Sequence, residues 1–599
     1  MTTPFRCEAE FEAALIDLLT RHGWSDELLR HPTEQQLIDN WANILYANNR
    51  GRDLLGDVPL TEGEMAQIIE QINVLRTPLA LNEFINGRTV TITRDAPQAH
   101  NFGVEVSLKI YDRLEIAGGQ SRYQIAVQPR FKTADELLPS RRGDLMLLIN
   151  GMPVFHIELK RSGVPVSQGA NQVAKYAHEG VYQGIFSLVQ IFVAMTPEET
   201  LYFANPGSAK FNPDYFFHWA DFNNEPVNQW DDVARALLSI PMAHQLIGFY
   251  TVADRASGNL LAMRSYQYYA ASRIADRVDR HDWDSGDQLG GYVWHTTGSG
   301  KTITSFKTAQ LIADSHNADK VVFLLDRVEL GTQSLENYES YGGDSIAVED
   351  TSSAATLITL LKNKHSTLIV TSLHKMSRVN ADSVKKADLD IIRSKRVVFI
   401  VDEAHRTTFG DMLATIKRTL PNALFFGFTG TPIHDENQKK HSTTTTLFGN
   451  ELHRYSIADG IRDGNVLGFD PEMVETFRAH DVRTVVALQE AKATSVDEAL
   501  ADPKKAAVYY KFMEGPGPDG LGVRDRRRQW YQACRQGYRR LPAYHSVPSR
   551  QPPPGCSTGH IRALGAVESG QYVPCHPGDL QHPRGRGVLP HLQGKVPAH

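Results

Sequence analysis

The sequence predicts an α/β protein with a doubly wound parallel sheet at its centre, and three observations point there. Apolar, β-branched runs too short for helices recur near residues 292, 321, 368, 397 and 424. Helical stretches such as 303–313 and 352–363 separate them, as parallel βαβ units require. Two of the runs also give way to polar, chemically distinctive residues at their carboxyl ends, where open α/β sheets bind ligands.

The first of these ends reads His295-Thr-Thr-Gly-Ser-Gly-Lys-Thr302 after Gly-Tyr-Val-Trp294, and it opens a helix signal. Backbone N–H groups of Thr297, Gly298, Ser299 and Gly300 and the helix N-terminus can cradle phosphates, with Lys301 reaching the β/γ-phosphates and Thr302 a magnesium ion. The usual phosphate-loop pattern begins with glycine where this chain has His295, but Gly298 and Gly300 keep the close approach. About one hundred residues on, Arg396-Val-Val-Phe-Ile-Val401 delivers Asp402-Glu-Ala-His405 at the end of a buried strand. Asp402 would hold Mg²⁺ through water and Glu403 would orient the attacking water. Together the two segments imply a grip on a nucleoside triphosphate and its Mg²⁺.

Composition frames the rest. A chain of 599 residues suggests about three to five domains, and 41% hydrophobic with 22% charged residues is ordinary for a globular protein. No apolar run approaches the ~18 residues that span a bilayer, so no membrane partner is expected. The start, Met1-Thr-Thr-Pro-Phe-Arg-Cys-Glu8, has no signal-peptide core, so a cytoplasmic location is expected. Cysteines at 7, 534, 556 and 575 show neither metal-site spacing nor a disulfide framework. The net charge of −6 decides nothing about nucleic acid, because basic residues act locally.

A second constellation lies upstream. Asp144 opens Leu145-Met-Leu-Leu-Ile149, Asn150-Gly151 signals a turn, and Val154-Phe-His-Ile-Glu158-Leu-Lys160 returns. Period-2 alternation puts Glu158 and Lys160 on one face. A three-residue loop, 150–152, would set Ile149 against Pro153 and Asp144 against Glu158; a two-residue loop would put the carboxylates on opposite faces. The odd-length loop is predicted. Two carboxylates and an ammonium would then meet where the sheet reaches solvent, a Mg²⁺ site suited to phosphodiester hydrolysis. Alone, this pattern also suits a surface hairpin with a salt bridge.

Just downstream, Gln172-Val-Ala-Lys-Tyr176 puts Gln172 and Tyr176 on one helical face. Asp144, Glu158-Leu-Lys160 and Gln172-xxx-Tyr176, ahead of an ATPase core, resemble the nuclease domain of the restriction subunit of type I restriction-modification enzymes. Asn101-Phe-Gly-Val104, leading into a strand at 105–110, is similar to that family's entry to the domain. The resemblance makes Asp144, Glu158 and Lys160 a PD-(D/E)xK nuclease triad, and it gives Gln172 and Tyr176 a part in cleavage by contacting DNA or ordering the site.

Downstream, the chain resembles a superfamily 2 motor. Arg264-Ser-Tyr-Gln267 is similar to the adenine-reading segment, with Gln267 on the base edge. Val321-Val-Phe-Leu-Leu-Asp326-Arg327, with Leu330 and Gln333, and Leu368-Ile-Val-Thr371-Ser-Leu-His-Lys375 resemble DNA-contacting segments. Phe426-Gly-Phe-Thr429-Gly-Thr431-Pro432 resembles the segment that senses the γ-phosphate. These imply a RecA-like lobe. Leu447-Phe-Gly449, Leu452-His-Arg-Tyr455 and Ile461-Arg-Asp463-Gly464-Asn-Val466 look like a bridge into a second.

The expected organisation is a nuclease domain at 1–245, a first RecA-like lobe at 250–460, the start of a second lobe at 461–515, and an Arg/Pro/Gly/His-rich, disordered tail at 516–599. In the tail, Arg524-Asp-Arg-Arg-Arg-Gln-Trp530 gives way to Gln551-Pro-Pro-Pro-Gly-Cys556 and apolar periodicity stops. A DNA-binding tail, a low-complexity linker and a shifted reading frame all produce such sequence; the shifted frame is the expectation. An unfinished second lobe would lack an arginine finger, worth about 10³–10⁵ in rate, so weak ATP binding without translocation is expected of this chain.

The resemblance implies an ATP-dependent endonuclease that pulls double-stranded DNA past itself and cuts away from the recognition site. Its partners would be modification and specificity subunits, and S-adenosylmethionine would enter only through them. A stand-alone repair helicase or nuclease and a non-catalytic DNA-binding remnant are the alternatives.

Overall fold

The computed structural model describes residues 5–514 except 52, 88, 117, 135–137, 208–209, 326–335, 339, 342–347, 351–352, 365–367, 403–408, 434–442, 467–483 and 485–486. The chain divides into two compact units, Met1–Ile457 and Ala458–His599. In chain order the strands of the first unit are β1 (Leu29–Arg30), β2 (Thr89–Thr93), β3 (Glu105–Lys109), β4 (Tyr123–Val127), β5 (Arg130–Phe131), β6 (Arg141–Arg142), β7 (Leu145–Ile149), β8 (Met152–Leu159), β9 (Ile191–Met195), β10 (Thr200–Ala204), β11 (Thr251–Asp254), β12 (Asn259–Ala262), β13 (Leu289–His295), β14 (Lys320–Leu325), β15 (Val348–Asp350), β16 (Leu368–Ser372), β17 (Val397–Val401), β18 (Leu424–Thr429) and β19 (Glu451–Tyr455).

Six strands form a mixed sheet in the order β1-β4-β7-β8-β9-β10, with β8 and β9 parallel and the β7–β8 hairpin at its centre. β7, β8 and β9 are buried at every position, so both faces are covered and the alternation of a one-sided sheet is absent. Helix Glu8–Arg21 buries Phe11, Leu15, Leu18 and Leu19 in the same core. The segment after Val104 forms β3, as expected, but pairs only with β2 in a separate ribbon.

The second sheet has the order β15-β16-β14-β17-β18-β13-β19 and every pairing is parallel. Period-2 alternation sorts its side chains between two cores. Val322, Leu324, Phe399 and Val401 join one that includes Leu413 and Ile416 of helix Phe409–Thr419. Val321, Phe323, Val398 and Ile400 join the other, with Ile274 of helix Ser265–Asp279 and Phe306 of helix Lys301–Ser315. All five expected strands are present; β15 and β19 extend the two edges. Leu452–Tyr455, read as part of a bridge onward, closes this sheet as β19 against β13.

In the second unit, helices Val496–Ala501 and Pro503–Glu514 pack through Ala499 and Tyr509 with Ala487, Ala491 and Ala493. The expected tail at 516–599 lies outside the described residues. No helix among the described residues is long and apolar enough to cross a membrane.

Candidate functional site

The β7–β8 hairpin turns through two residues, Asn150 (φ 52°) and Gly151 (φ 85°), because Ile149 pairs with Met152. Both left-handed conformations suit the tight turn whose twist matches its strands. A Cβ on Gly151 would lie 2.9 Å from the Trp41 Cα, so glycine is required there. The expected three-residue loop is therefore incorrect. A β-bulge between Leu147 and Leu148 supplies the missing residue: Leu148 pairs with Pro153, Leu147 with Phe155, and Val154 is the extra one. Beyond the bulge Leu145 pairs with Ile157, and one step further along the same register Asp144 faces Glu158.

Asp144 Oδ2 accepts the Leu159 N–H at 2.7 Å. Lys160 Nζ lies 3.3 Å from Glu158 Oε1 and donates to the Leu159 carbonyl at 2.7 Å. The three residues thus converge, but not at an open edge as expected. The Glu158 side chain is fully buried and that of Lys160 is only 10% exposed, because helix Glu8–Arg21 lies over them and brings Glu8 Oε1 to 3.8 Å from Lys160 Nζ.

Burial raises the Asp144 carboxyl to about 7, helped by the Glu158 charge and opposed by the Leu159 N–H, Lys160 and His156. Burial likewise raises Glu158, against the Lys160 charge, to about 7. Within this pocket Glu158 Oε2 completes no hydrogen bond of normal geometry. It faces His156 Nε2 at 3.5 Å; His156, whose Nδ1 meets Tyr182 Oη at 2.8 Å, is held to about 4 by burial. No cluster of three or more His, Cys, Asp or Glu suited to a metal occurs among the described residues. Two close carboxylates with a buried, unpaired oxygen nevertheless fit Mg²⁺, which takes one or two carboxylates and completes its shell with water and phosphate.

Gln172 and Tyr176 do share a face of helix Ser167–His178. The Gln172 amide donates to Tyr176 Oη at 2.7 Å, and that hydroxyl donates to the Arg142 carbonyl at 2.9 Å, two residues before Asp144. Sequence reasoning missed Glu12 and Gln128. Gln128, at φ 53°, donates its backbone N–H to the Asp144 carbonyl at 2.7 Å and its amide to both Glu12 carboxylate oxygens at 3.2 and 3.1 Å. Glu8 and Glu12 at i and i+4 were visible as one helical face, but nothing local says where that face docks.

The segment read as a phosphate loop leaves β13 and bends through Gly298 (φ 83°) and Gly300 (φ 75°) into helix Lys301–Ser315. Ser299 is buried, its hydroxyl donating to the Thr296 carbonyl at 2.6 Å, and Tyr266 Oη donates to the Ser299 carbonyl at 2.8 Å. Gln267, expected on a base edge, has both amide ends on main chain: Nε2 donates to the Ser299 and Gly300 carbonyls at 3.2 and 3.4 Å, and Oε1 accepts the Arg264 N–H at 3.0 Å. It lines a cleft of about 180 Å³ with Gly298, Ser299, Gly300, Phe211 and Tyr215.

Lys301 and Thr302 open the helix, and Thr297 lies beside Gly430, where an added Cβ would be 3.3 Å from Thr297 Oγ1 and 3.6 Å from Lys301 Nζ. Asp402 follows β17, its N–H donating to the Leu324 carbonyl at 3.1 Å, and only β18 separates β17 from β13. Glu403, His405, Asp326, Arg327, Leu330 and Gln333 lie outside the described residues. His295 points into the protein: it is fully buried, 3.1 Å from His453 Nδ1 through Nε2, and held well below the usual histidine range by burial and by His453 and Lys301.

Residues 7–211 match the family described as type I restriction enzyme R protein N terminus (HSDR_N), and residues 266–505 match the SWI2/SNF2 ATPase family. The SsaAORF53P type I restriction enzyme endonuclease subunit of Staphylococcus saprophyticus is 34% identical over 482 residues, 80% of this chain and 48% of that protein. The SauMSSORF170P endonuclease subunit of Staphylococcus aureus is 34% identical over 478 residues, covering 79% and 48%. The C-terminal part of the MpnIIP type I restriction enzyme endonuclease subunit of Mycoplasma pneumoniae is 33% identical over 198 residues, 32% of this chain and 95% of that protein. The chain spans about half the length of the two staphylococcal relatives.

Proposed function

The chain belongs to the type I restriction enzyme endonuclease subunits, and from that premise we propose that it cuts double-stranded DNA with a metal-dependent nuclease and carries ATP-binding machinery for moving that DNA. The convergence of Asp144, Glu158 and Lys160 in one pocket carries the nuclease reading. We read the first sheet as a PD-(D/E)xK nuclease fold, domain 1–245, and the β13–β19 sheet as a RecA-like lobe, 250–460.

Asp144 and Glu158 would hold Mg²⁺, which when bound polarises the scissile phosphate and lowers the pKa of water. The Leu159 N–H fixes the Asp144 carboxylate, and Lys160 offers its ammonium to charge developing on the phosphate. Burial excludes competing water and strengthens these interactions. In the parallel sheet, Thr297–Gly300 would cradle the ATP phosphates, Lys301 would reach the terminal ones, and Thr302 with Asp402 would hold the second Mg²⁺. The cleft that Phe211, Tyr215 and Gly298–Gly300 line beside Gln267 suits the base. Modification and specificity subunits would be the partners, S-adenosylmethionine entering through them, and the cytoplasm the place of action.

Plasmid nicking by the purified chain tests the reading. Magnesium-dependent nicking is expected, lost in Asp144→Asn and Lys160→Ala and retained in Lys301→Ala, which instead loses ATP binding. Nicking of equal rate in Asp144→Asn would sink the assignment, as would a wild-type chain that never nicks.

A further inference from the structure

We infer that Arg130 and Arg142, with Arg30 beside them, form a clamp for the sugar–phosphate backbone of a DNA duplex at the mouth of the Asp144 pocket. The clamp rests on the nuclease reading above and adds to it the surface that would hold the substrate.

β5 and β6 pair antiparallel, with Arg130 opposite Arg142 and Phe131 opposite Arg141. Directly opposed residues share a face of such a ribbon. The Phe131 face turns inward: its ring is 1% exposed and lies 5.6, 6.0 and 4.9 Å from the rings of His156, Tyr176 and Phe186. The other face therefore sends Arg130 and Arg142 outward together, and both are exposed. The Arg130 N–H donates to the Pro32 carbonyl at 2.9 Å, which brings the end of β1, with exposed Arg30, to the same edge. Arg30 and Arg142 both act electrostatically on Glu12, the carboxylate beside Asp144.

Like charges directly opposed across a ribbon destabilise it. Arg141, on the inward face, is compensated by Glu179, at 2.6 and 2.7 Å. Among the described residues no carboxylate lies within ion-pair distance of Arg30, Arg130 or Arg142. The pair is held in place because the Pro32 carbonyl accepts the Arg130 N–H and Tyr176 anchors the Arg142 carbonyl. A guanidinium pair fixed by main-chain anchoring, with no carboxylate at ion-pair distance, is complementary to consecutive phosphates, which arginine binds by bidentate, charge-assisted hydrogen bonds. A duplex supplies such phosphates in a row.

The test measures binding of a fluorescein-labelled duplex of about 40 base pairs to the full chain in EDTA, over a series of potassium chloride concentrations. Arg130→Gln/Arg142→Gln should weaken Kd at least about tenfold and make the plot of log Kd against log salt shallower by about two, near 0.9 for each phosphate that the variant no longer neutralises. Arg130→Lys/Arg142→Lys should keep most of the slope, and the thermal midpoint of the Gln variant should equal or exceed wild type. An unchanged salt slope in the Gln variant overturns the clamp, as does a wild-type chain that binds no duplex. A wild-type chain that binds through these arginines but never nicks would leave the clamp standing and remove the nuclease.

Discussion

The Tyr176 hydroxyl donates to the main-chain carbonyl of Arg142 at 2.9 Å. That bond ties helix Ser167–His178 to the strand that leads into Asp144, and the Gln172 amide orients the hydroxyl from one turn away. The Gln-xxx-Tyr pair thus holds main chain in place, and we propose that Tyr176 positions the strand that carries Asp144. Burial and the neighbouring Glu158 charge hold its phenol near 12, so at neutral pH it remains a donor.

Tyr176→Phe should leave the Arg142 carbonyl without this donor and the Gln172 amide without its acceptor. A loss of about 1–2 kcal/mol in urea unfolding is expected. The nicking rate should fall by roughly tenfold, since a displacement near 1 Å can cost more than that. Nicking at the wild-type rate, with the stability loss present, would show that Arg142 placement does not matter to cleavage.

The meeting of Asp144 and Glu158 was legible because parity is legible: with regular strands, only an odd number of turn residues puts both carboxylates on one face. The sequence also advertised its turn at Asn150-Gly151, which is a two-residue signal. The structure satisfies both by adding the odd residue within the strand, at Val154, and no local pattern specified that bulge. Burial of the site escaped the sequence because it depends on where helix Glu8–Arg21 docks, a tertiary fact. The parallel sheet was easier, since strands buried on both faces read as continuous apolar runs. β19 was harder: its His453 and Arg454 look like linker until His453 is seen against His295.

Stability of the metal-free chain should fall as pH rises from about 4 to about 7. Asp144 and Glu158 have folded pKa values raised to about 7, chiefly by burial. The native state thus keeps protons that the unfolded chain has lost. Their contribution is complete below the unfolded carboxylate range and is lost as pH climbs through the folded values. Thermal midpoints measured in EDTA across that window should decline less for Asp144→Asn/Glu158→Gln than for wild type. Mg²⁺ binding to the wild type should release protons within the same window. Superimposable midpoint profiles for the two proteins would contradict the raised carboxyls.

Gly300→Ala should weaken nucleotide binding at least about tenfold. The position has φ 75°, and an added Cβ would stand 2.7 Å from Gln267 Nε2. Left-handed backbone costs a non-glycine residue about 1–2 kcal/mol, and the clash adds to it. Adding Gln267→Ala relieves the clash and leaves the backbone cost, so it should recover part of the affinity. Titration with a fluorescent ATP analogue reads both effects; full affinity in Gly300→Ala alone would mean that the loop binds phosphate in another conformation.

His295→Ala should affect stability far more than nucleotide binding. The residue occupies the place where phosphate loops usually begin with glycine, which suggests interference with phosphate. Its side chain instead turns inward, edge-on to Tyr266 with ring centroids 5.3 Å apart and in contact with His453, which continues to the Phe222 carbonyl at 3.2 Å. Removing it opens a cavity between β13 and helix Ser265–Asp279 and deletes the contact with His453 Nδ1. Together these should cost about 2–4 kcal/mol. Nucleotide affinity should change less than about threefold, because Gly298, Gly300, Lys301 and Thr302 keep their backbone. His295→Asn should restore part of the stability through a hydrogen bond to His453. Urea unfolding and nucleotide titration on the same preparations separate the two effects. A His295→Ala chain of wild-type stability whose nucleotide affinity rises tenfold would instead mean that the imidazole crowds the phosphates.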